Sequence, residues 1–248
     1  MLRFKLTIAY DGTRYFGWQV QKGRMTVQQR VEEALRELFP SVKRVHSSSR
    51  TDTGVHAMGM VAHVDIPEAE CRMDARKLLL AVNSFLPVDV RIVAARRVAE
   101  DFHARFDAKG KRYFYLILNH AAMNPLLHNR AWHVKVPLDL ERMQKAAKLF
   151  VGRRDFKSFA STREYEMEST VRRVTRCDVR KEGYMWKITI EGDGFLYKMC
   201  RGIVGTLVRV GQGKLTQTEI RQIFHQRDRS VAGMNAPACG LTLWRVFY

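Results

Sequence analysis

Hydroxyl, guanidinium, carboxylate and imidazole groups crowd into one short stretch, Ser47-Ser48-Ser49-Arg50-Thr51-Asp52-Thr53-Gly54-Val55-His56-Ala57. Asp52 stands between two threonines, and Gly54 permits the tight backbone path that would present a carboxylate from a loop. As an isolated string, Asp-x-Gly is more often an ordinary turn. Arg50 shifts that balance little, because it can equally serve as an ion-pair partner of Asp52. Other chemistries fail on spacing. The serines beside His46 and His56 lack the Gly-x-Ser-x-Gly elbow that exposes a nucleophilic hydroxyl. The zinc-deaminase pattern of His-x-Glu with Pro-Cys-x-x-Cys is missing, since Pro237-Ala238-Cys239 does not match it. Gly211-Gln212-Gly213 has the spacing of neither a P-loop nor a dinucleotide fold and reads as a helix C-terminus.

Two further segments carry residues of interest. In Lys111-Arg112-Tyr113-Phe114-Tyr115 a strand puts Tyr113 and Tyr115 on one face and Phe114 on the other. Rings interleaved with cations suit stacking on RNA bases, and they suit an ordinary sheet core just as well. Arg201, in Tyr197-Lys198-Met199-Cys200-Arg201-Gly202, lies near the apolar face of a helix. A buried unpaired charge is costly, so this arginine needs a partner or a ligand, and Asp52 is a candidate partner. A carboxylate beside a guanidinium is held ionised.

The charge balance names the kind of partner. The 248 residues include 43 lysines and arginines against 25 aspartates and glutamates, a formal net charge of +18. Solubility needs only a net charge of roughly 2–8 in a small domain. A polyanion is the natural counterpart, with nucleic acid ahead of a membrane, because no long apolar run, lipidation motif or polybasic tail is present. The four cysteines, Cys71, Cys177, Cys200 and Cys239, form no Cys-x-x-Cys pair. Neither a disulfide framework nor a zinc knuckle is expected, and no metal site among the histidines. The amino terminus alternates like a strand and not like a signal peptide, so a cytoplasmic protein is expected.

The elements that must position these groups fall into a pattern that occurs twice. Phe4, Leu6 and Ile8 alternate as in a half-buried strand. A helix follows with Val27, Val31, Ala34, Leu35 and Leu38 on one face, a capping box from Thr26 and Gln29, and Pro40 as its end. Strands are expected at 43–47 and 58–66, then a helix from Asp74 carrying Leu78, Val82 and Phe85 inward, then a strand at 91–98. The second half repeats this β-α-β-β-α-β order. Its strands are expected at 112–118, 171–179, 186–191 and 241–247. Its helices are expected at 139–151, capped by Gly152, and at 195–210, with a short extra helix after Thr216. This is the split βαβ, ferredoxin-like order. The expected class is α+β, two such halves sharing one mainly antiparallel sheet of about eight strands. The halves are expected at 1–104 and 105–248, with the linker at 101–111. Period two puts Arg172, Arg176 and Arg180 on one strand face, as an RNA cradle or as edge protection.

With these residues in place, the chain resembles the TruA family of tRNA pseudouridine synthases over nearly its whole length. Tyr10-Asp11-Gly12 with Tyr15 and Gly17-Trp18-Gln19 is similar to the family's first motif, and the segment from Arg50 to Ala57 to its catalytic motif. Phe102-His103-Ala104-Arg105-Phe106 and the Lys111–Tyr115 segment resemble its central signature. The segment from Phe195 to Gly205 resembles the helix that bears its arginine, and Ala236-Pro237-Ala238-Cys239-Gly240-Leu241 its closing motif. Ser49 and Met60 depart from the family's usual glycine and glutamine. The resemblance implies a pseudouridine synthase fold and a cofactor-independent isomerase, acting on uridines 38, 39 and 40 of the tRNA anticodon stem–loop after base flipping. It implies Asp52 as nucleophile, Tyr113 stacked on the target base, Arg201 paired with the aspartate, Arg50 on the RNA backbone, and a homodimer. A synthase of the same fold acting on other RNA, or a non-catalytic RNA-binding protein, are the competing expectations.

Overall fold

The computed structural model describes residues 1–161 and 169–248. By contact the chain divides into Met1–Lys109 with Thr242–Tyr248, and Gly110–Leu241. The sequence put the boundary at 104/105 and the closing segment in the second half. The difference at the closing segment comes from strand pairing, described below.

In the first unit β1 (Leu2–Tyr10) buries every second residue, as the alternation requires. It lies between β3 (His56–Ile66) and β4 (Val90–Val98), antiparallel to both. The short β2 (His46–Ser47) pairs with the far end of β3, at His63 and Ala62. Helices α1 (Val27–Arg36) and α2 (Ala75–Phe85) complete the β-α-β-β-α-β order. Val27, Val31, Ala34 and Leu35 of α1 are buried as the periodicity predicts. The expected capping box is not formed: the Thr26 side chain makes no cap bond, and its buried hydroxyl has no partner among the described residues. The first amides of α1 instead donate to distant carbonyls, Val27 N to Gly17 O at 3.2 Å and Gln28 N to Trp18 O at 2.9 Å. A tertiary contact thus replaces the local cap. Phe85, expected inward, is 48% exposed, while Leu86 beyond the helix end is buried.

The second unit opens with β5 (Gly110–Asn119), flanked by a three-residue parallel strand, β6 (Trp132–Val134). Helix α3 (Leu140–Ala147) is shorter than expected, because a 3₁₀ turn at Lys148–Phe150 takes over its last residues. Gly152, expected as a cap, has φ +112° and opens β7 (Gly152–Asp155). Strands β8 (Val171–Glu182) and β9 (Met185–Gly192) form a hairpin, giving the order β5-β9-β8-β7, antiparallel throughout. Helix α4 (Met199–Gly211) is buried on nearly all sides, only Arg201 and Arg209 being half-exposed. Its expected first residues, 195–198, are not helical, since Lys198 adopts a left-handed φ of 58°. Helix α5 (Gln217–Gln226) carries the capping box expected at Thr216 and Glu219.

The arginine stripe expected on β8 is broken. The register slips between Val174 and Arg176, so one extra residue enters the strand. Buried Val174 is followed by buried Cys177 and Val179, and Arg172 falls on the face opposite Arg176 and Arg180. Arg176 pairs with Asp178, and Arg112 with Glu191, so that face alternates in charge and is not uniformly basic.

The last strand, β10 (Leu241–Phe247), pairs in parallel with the start of β3, Thr242 with His56 and Leu243 with Ala57. The first unit's strand order is therefore β4-β1-β3-β10. Among the described residues no helix is long and apolar enough to cross a membrane.

Candidate active site

Asp52 sits half-buried on the loop that joins β2 to β3, and the loop is held by backbone contacts with the segment that follows β1. Gly17 has φ +83°, and a Cβ there would lie 2.5 Å from the Thr51 carbonyl oxygen and 3.2 Å from the carbonyl carbon of Asp52. Only glycine fits both the conformation and the space. Trp18 N donates to Thr51 O at 3.1 Å, Gly54 N to Tyr15 O at 3.3 Å, and Val55 N to Asp52 O at 3.1 Å, closing a turn around the carboxylate. Gly12 presses on the other end, where a Cβ would meet Val55 O at 2.0 Å. Its N–H donates to His56 Nδ1 at 3.0 Å, with Asp11 Oδ1 3.2 Å from the same nitrogen.

Side chains brace the clamp. The Tyr10 hydroxyl lies 2.8 Å from Thr51 Oγ1 in a buried contact. Burial pushes the Tyr10 phenol well above its ordinary value, against the weaker pull of Thr51, so it stays protonated. Tyr15 donates its hydroxyl to Asp89 at 2.7 Å, and Arg14 pairs with the same carboxylate at 2.8 Å. Burial works against the Asp89 charge, yet the bonds from Tyr15 and Arg14 hold its carboxyl below the usual range. Arg50 is exposed and forms no ion pair among the described residues, so the Arg50–Asp52 salt bridge considered from the sequence is absent. Two side chains on this loop and its flanking strand depart from the resemblance, and both are accommodated at a cost or by a weak contact. The Ser49 hydroxyl is buried without a partner among the described residues, and the Ser48 hydroxyl reaches the sulfur of fully buried Met60 at 3.6 Å.

In the second unit Tyr113 lies on β5, 7% exposed, with the Phe195 ring edge-on at 5.2 Å between centroids. Tyr115 shares its face and is fully buried, donating its hydroxyl to Pro237 O at 2.7 Å. Arg201 occupies the first turn of α4. Its Nε donates to Ala236 O at 2.7 Å, and Ala236 N donates to Arg201 O at 3.0 Å. The closing segment is thereby bonded to both Tyr115 and Arg201. Gly240 fits because a Cβ there would meet the Tyr115 ring at 2.5 Å. Burial drives the Tyr115 phenol far above its ordinary value, with Cys239 acting in the same direction and the Arg201 charge opposing it. Burial likewise raises the Cys239 thiol.

The structure thus gathers Asp52 and Arg50 on one loop of the first unit, and Tyr113, Tyr115 and Arg201 around the closing segment of the second. Tyr10, Gly12, Gly17 and Trp18, which the sequence presents only as a turn and a motif, hold the Asp52 loop in place. Their signal was two glycines among aromatic residues at a spacing too short for a strand.

The first unit is thus an α+β arrangement that presents a carboxylate from a backbone-locked loop between two strands. Comparison with known proteins identifies the family. The tRNA pseudouridine synthase family profile matches residues 6–107 and 146–248. The chain is 44% identical over 249 residues to tRNA pseudouridine synthase A of Ruminiclostridium cellulolyticum, covering 100% of both. It is 43% identical over 248 residues to tRNA pseudouridine synthase A 2 of Clostridium perfringens and 44% identical over 248 to tRNA pseudouridine synthase A of Acetivibrio thermocellus, again covering 100% of both chains. The chain belongs to the tRNA pseudouridine synthase family and is an enzyme of the isomerase class.

Proposed function

We propose that this chain isomerises uridine to pseudouridine in tRNA, at positions 38, 39 and 40 of the anticodon stem–loop, with Asp52 as the nucleophile. The observation that carries this reading is a half-buried carboxylate on a loop whose backbone is fixed from both sides. In the reaction the bond from ribose C1′ to N1 of uracil breaks and the bond from C1′ to C5 forms. C5 loses a proton and N1 gains one, so the product is an isomer and no electrons are exchanged. Asp52 either attacks to form a covalent intermediate or abstracts a ribose proton; both need it ionised. A base inside a stacked helix must first be flipped out. Tyr113 then stacks on that base and is a candidate acceptor of the C5 proton. Arg201 supplies the cation of the site, and the exposed Arg50 binds the backbone beside the flipped nucleotide. The net charge of +18 supplies the sequence-independent affinity. The working form is a cytoplasmic homodimer.

The test uses tRNA carrying tritium at uracil C5. Wild-type protein should release label to water, and Asp52→Asn, which keeps the volume and removes the charge, should release none above background. Release by Asp52→Asn at the wild-type rate would remove Asp52 from the reaction. Release from ribosomal RNA without release from tRNA would reassign the substrate.

A further inference from the structure

Far along the chain from Asp52, the edge of the second unit's sheet concentrates unneutralised charge. β7 is the edge strand, and its register with β8 sets Arg153 opposite Arg173 and Arg154 opposite Arg172. Like charges directly opposite each other in a sheet destabilise it. The same edge opens into a cleft of about 530 Å³ with α5, to which Arg153, Arg154, Arg221, His225 and Arg227 contribute. Its one carboxylate, Asp155, is already engaged. One oxygen accepts from Lys157 N at 3.0 Å and Thr170 Oγ1 at 2.6 Å, and the other pairs with Arg227 at 3.1 Å. Among the described residues no ion pair joins Arg153, Arg154, Arg172, Arg173 or Arg221 to a carboxylate. Phe224 gives the cleft an apolar wall, over which the Arg154 guanidinium lies 5.5 Å from the ring centroid.

We propose that the β7–α5 cleft is a second RNA contact, which binds backbone phosphates of the tRNA at its arginines and takes no part in the reaction. Guanidinium forks match phosphate oxygens, and a flat aromatic wall holds the Arg154 fork in place. The opposed arginine pairs are tolerated because a bound polyanion relieves their repulsion. An edge strand can also carry charge merely to block pairing with other chains. That alternative needs charge of either sign and needs no cleft, no aromatic wall and no further cation on α5 such as Arg221. The proposal rests on the substrate being tRNA, and its test separates the two readings.

The experiment compares wild type, Arg153→Gln/Arg154→Gln, and Arg96→Gln/Arg97→Gln, which removes the same two charges from exposed positions on β4. Binding of full-length tRNA is measured across a salt series, tritium release is measured separately, and thermal midpoints are recorded without RNA. The β7 variant should bind about tenfold more weakly, with a log–log salt slope shallower by about two, roughly one per lost phosphate contact. Its kcat should be unchanged, its KM raised, and its midpoint without RNA raised as the repulsion is removed. The β4 variant should change binding less. Equal affinity and slope in wild type and the β7 variant would overturn the proposal, as would equal weakening by the β4 pair, which would mean that only net charge matters. Wild type that binds tRNA without releasing label would sink the proposed reaction and leave the cleft to be judged by the binding series.

Discussion

Around Asp52 the loop is held by paired donors and acceptors, the Ser49 hydroxyl excepted, whereas along β7 two pairs of arginines face each other with no carboxylate to pair them. On the proposed roles, the difference reflects what each region must do. Chemistry at a single bond is sensitive to displacements well under an ångström, so its carboxylate must be held by directional contacts. Capture of a polyanion works through charge that acts over several ångströms, so it tolerates imprecise geometry and even local repulsion. The first region uses glycine and backbone amides; the second uses arginine. A molecule built this way should respond to substitution in two distinct manners.

The sharpest separation is expected from two glycines of the same segment. At Gly17 an added Cβ meets Thr51 O at 2.5 Å, while at Gly23, with a similar φ of +68°, it meets nothing within 4 Å. Gly17→Ala should push the Asp52 loop out of place and lower kcat by about a hundredfold. Gly23→Ala pays only for the left-handed backbone, about 1 kcal/mol of stability, and should keep kcat. Steady-state kinetics on tRNA with parallel thermal melts read both quantities. Equal kcat for the two variants would show that the clamp does not set the geometry of the carboxylate.

A smaller effect is expected at the Tyr10–Thr51 contact. Tyr10→Phe leaves the buried Thr51 hydroxyl without its partner, at a cost of about 1–2 kcal/mol. Replacing both partners, Tyr10→Phe with Thr51→Val, should be less damaging than the two single changes added together. Strict additivity in urea unfolding would mean that the two groups do not interact, and the matched picture of the loop would lose one of its bonds.

Those contacts also mark what a linear reading can reach. Asp52 was legible as a candidate because residue type and the following Gly54 are local signals. The clamp was not, since the Tyr10–Thr51 bond joins residues 41 apart in sequence. The buried face of α1 could be read from Val27, Val31, Ala34 and Leu35, but its cap could not, because Gly17 and Trp18 supply carbonyls from another segment. β10 was found as a strand, yet its partner β3 is set by tertiary pairing that periodicity does not encode. A bulge on β8 changes parity by one residue without changing composition, so the arginine stripe was misread. β6 and β7, with three and four residues, are too short to show alternation at all.

The two regions should also fail under different solution conditions, salt for the arginine edge and acid for the matched contacts of the first unit. His63, 2% exposed, stacks on His46 at 5.0 Å and meets His103 edge-on at 4.8 Å. Its Nδ1 accepts the Ala104 N–H at 3.1 Å and must therefore be unprotonated. Burial, followed by the charges of Arg3, His46 and His103, lowers its pKa to about 4, with Asp65 opposing. The unfolded chain takes up this proton near the ordinary value of about 6.5. Below that pH the unfolded state binds more protons, so stability is complete above about 6.5 and declines as pH falls toward 4. Between neutrality and pH 5.5, His63 should account for about 1 kcal/mol of lost stability. His63→Gln retains an oxygen that can accept from Ala104 and has no proton to gain, so its urea midpoint should fall less over the same interval. His46, also lowered mainly by burial, sustains part of the decline in both proteins, which makes the difference between them the quantity to measure. Identical declines would show that the buried imidazole is not what acid attacks, and that the histidine cluster tolerates charge as readily as the arginine edge does.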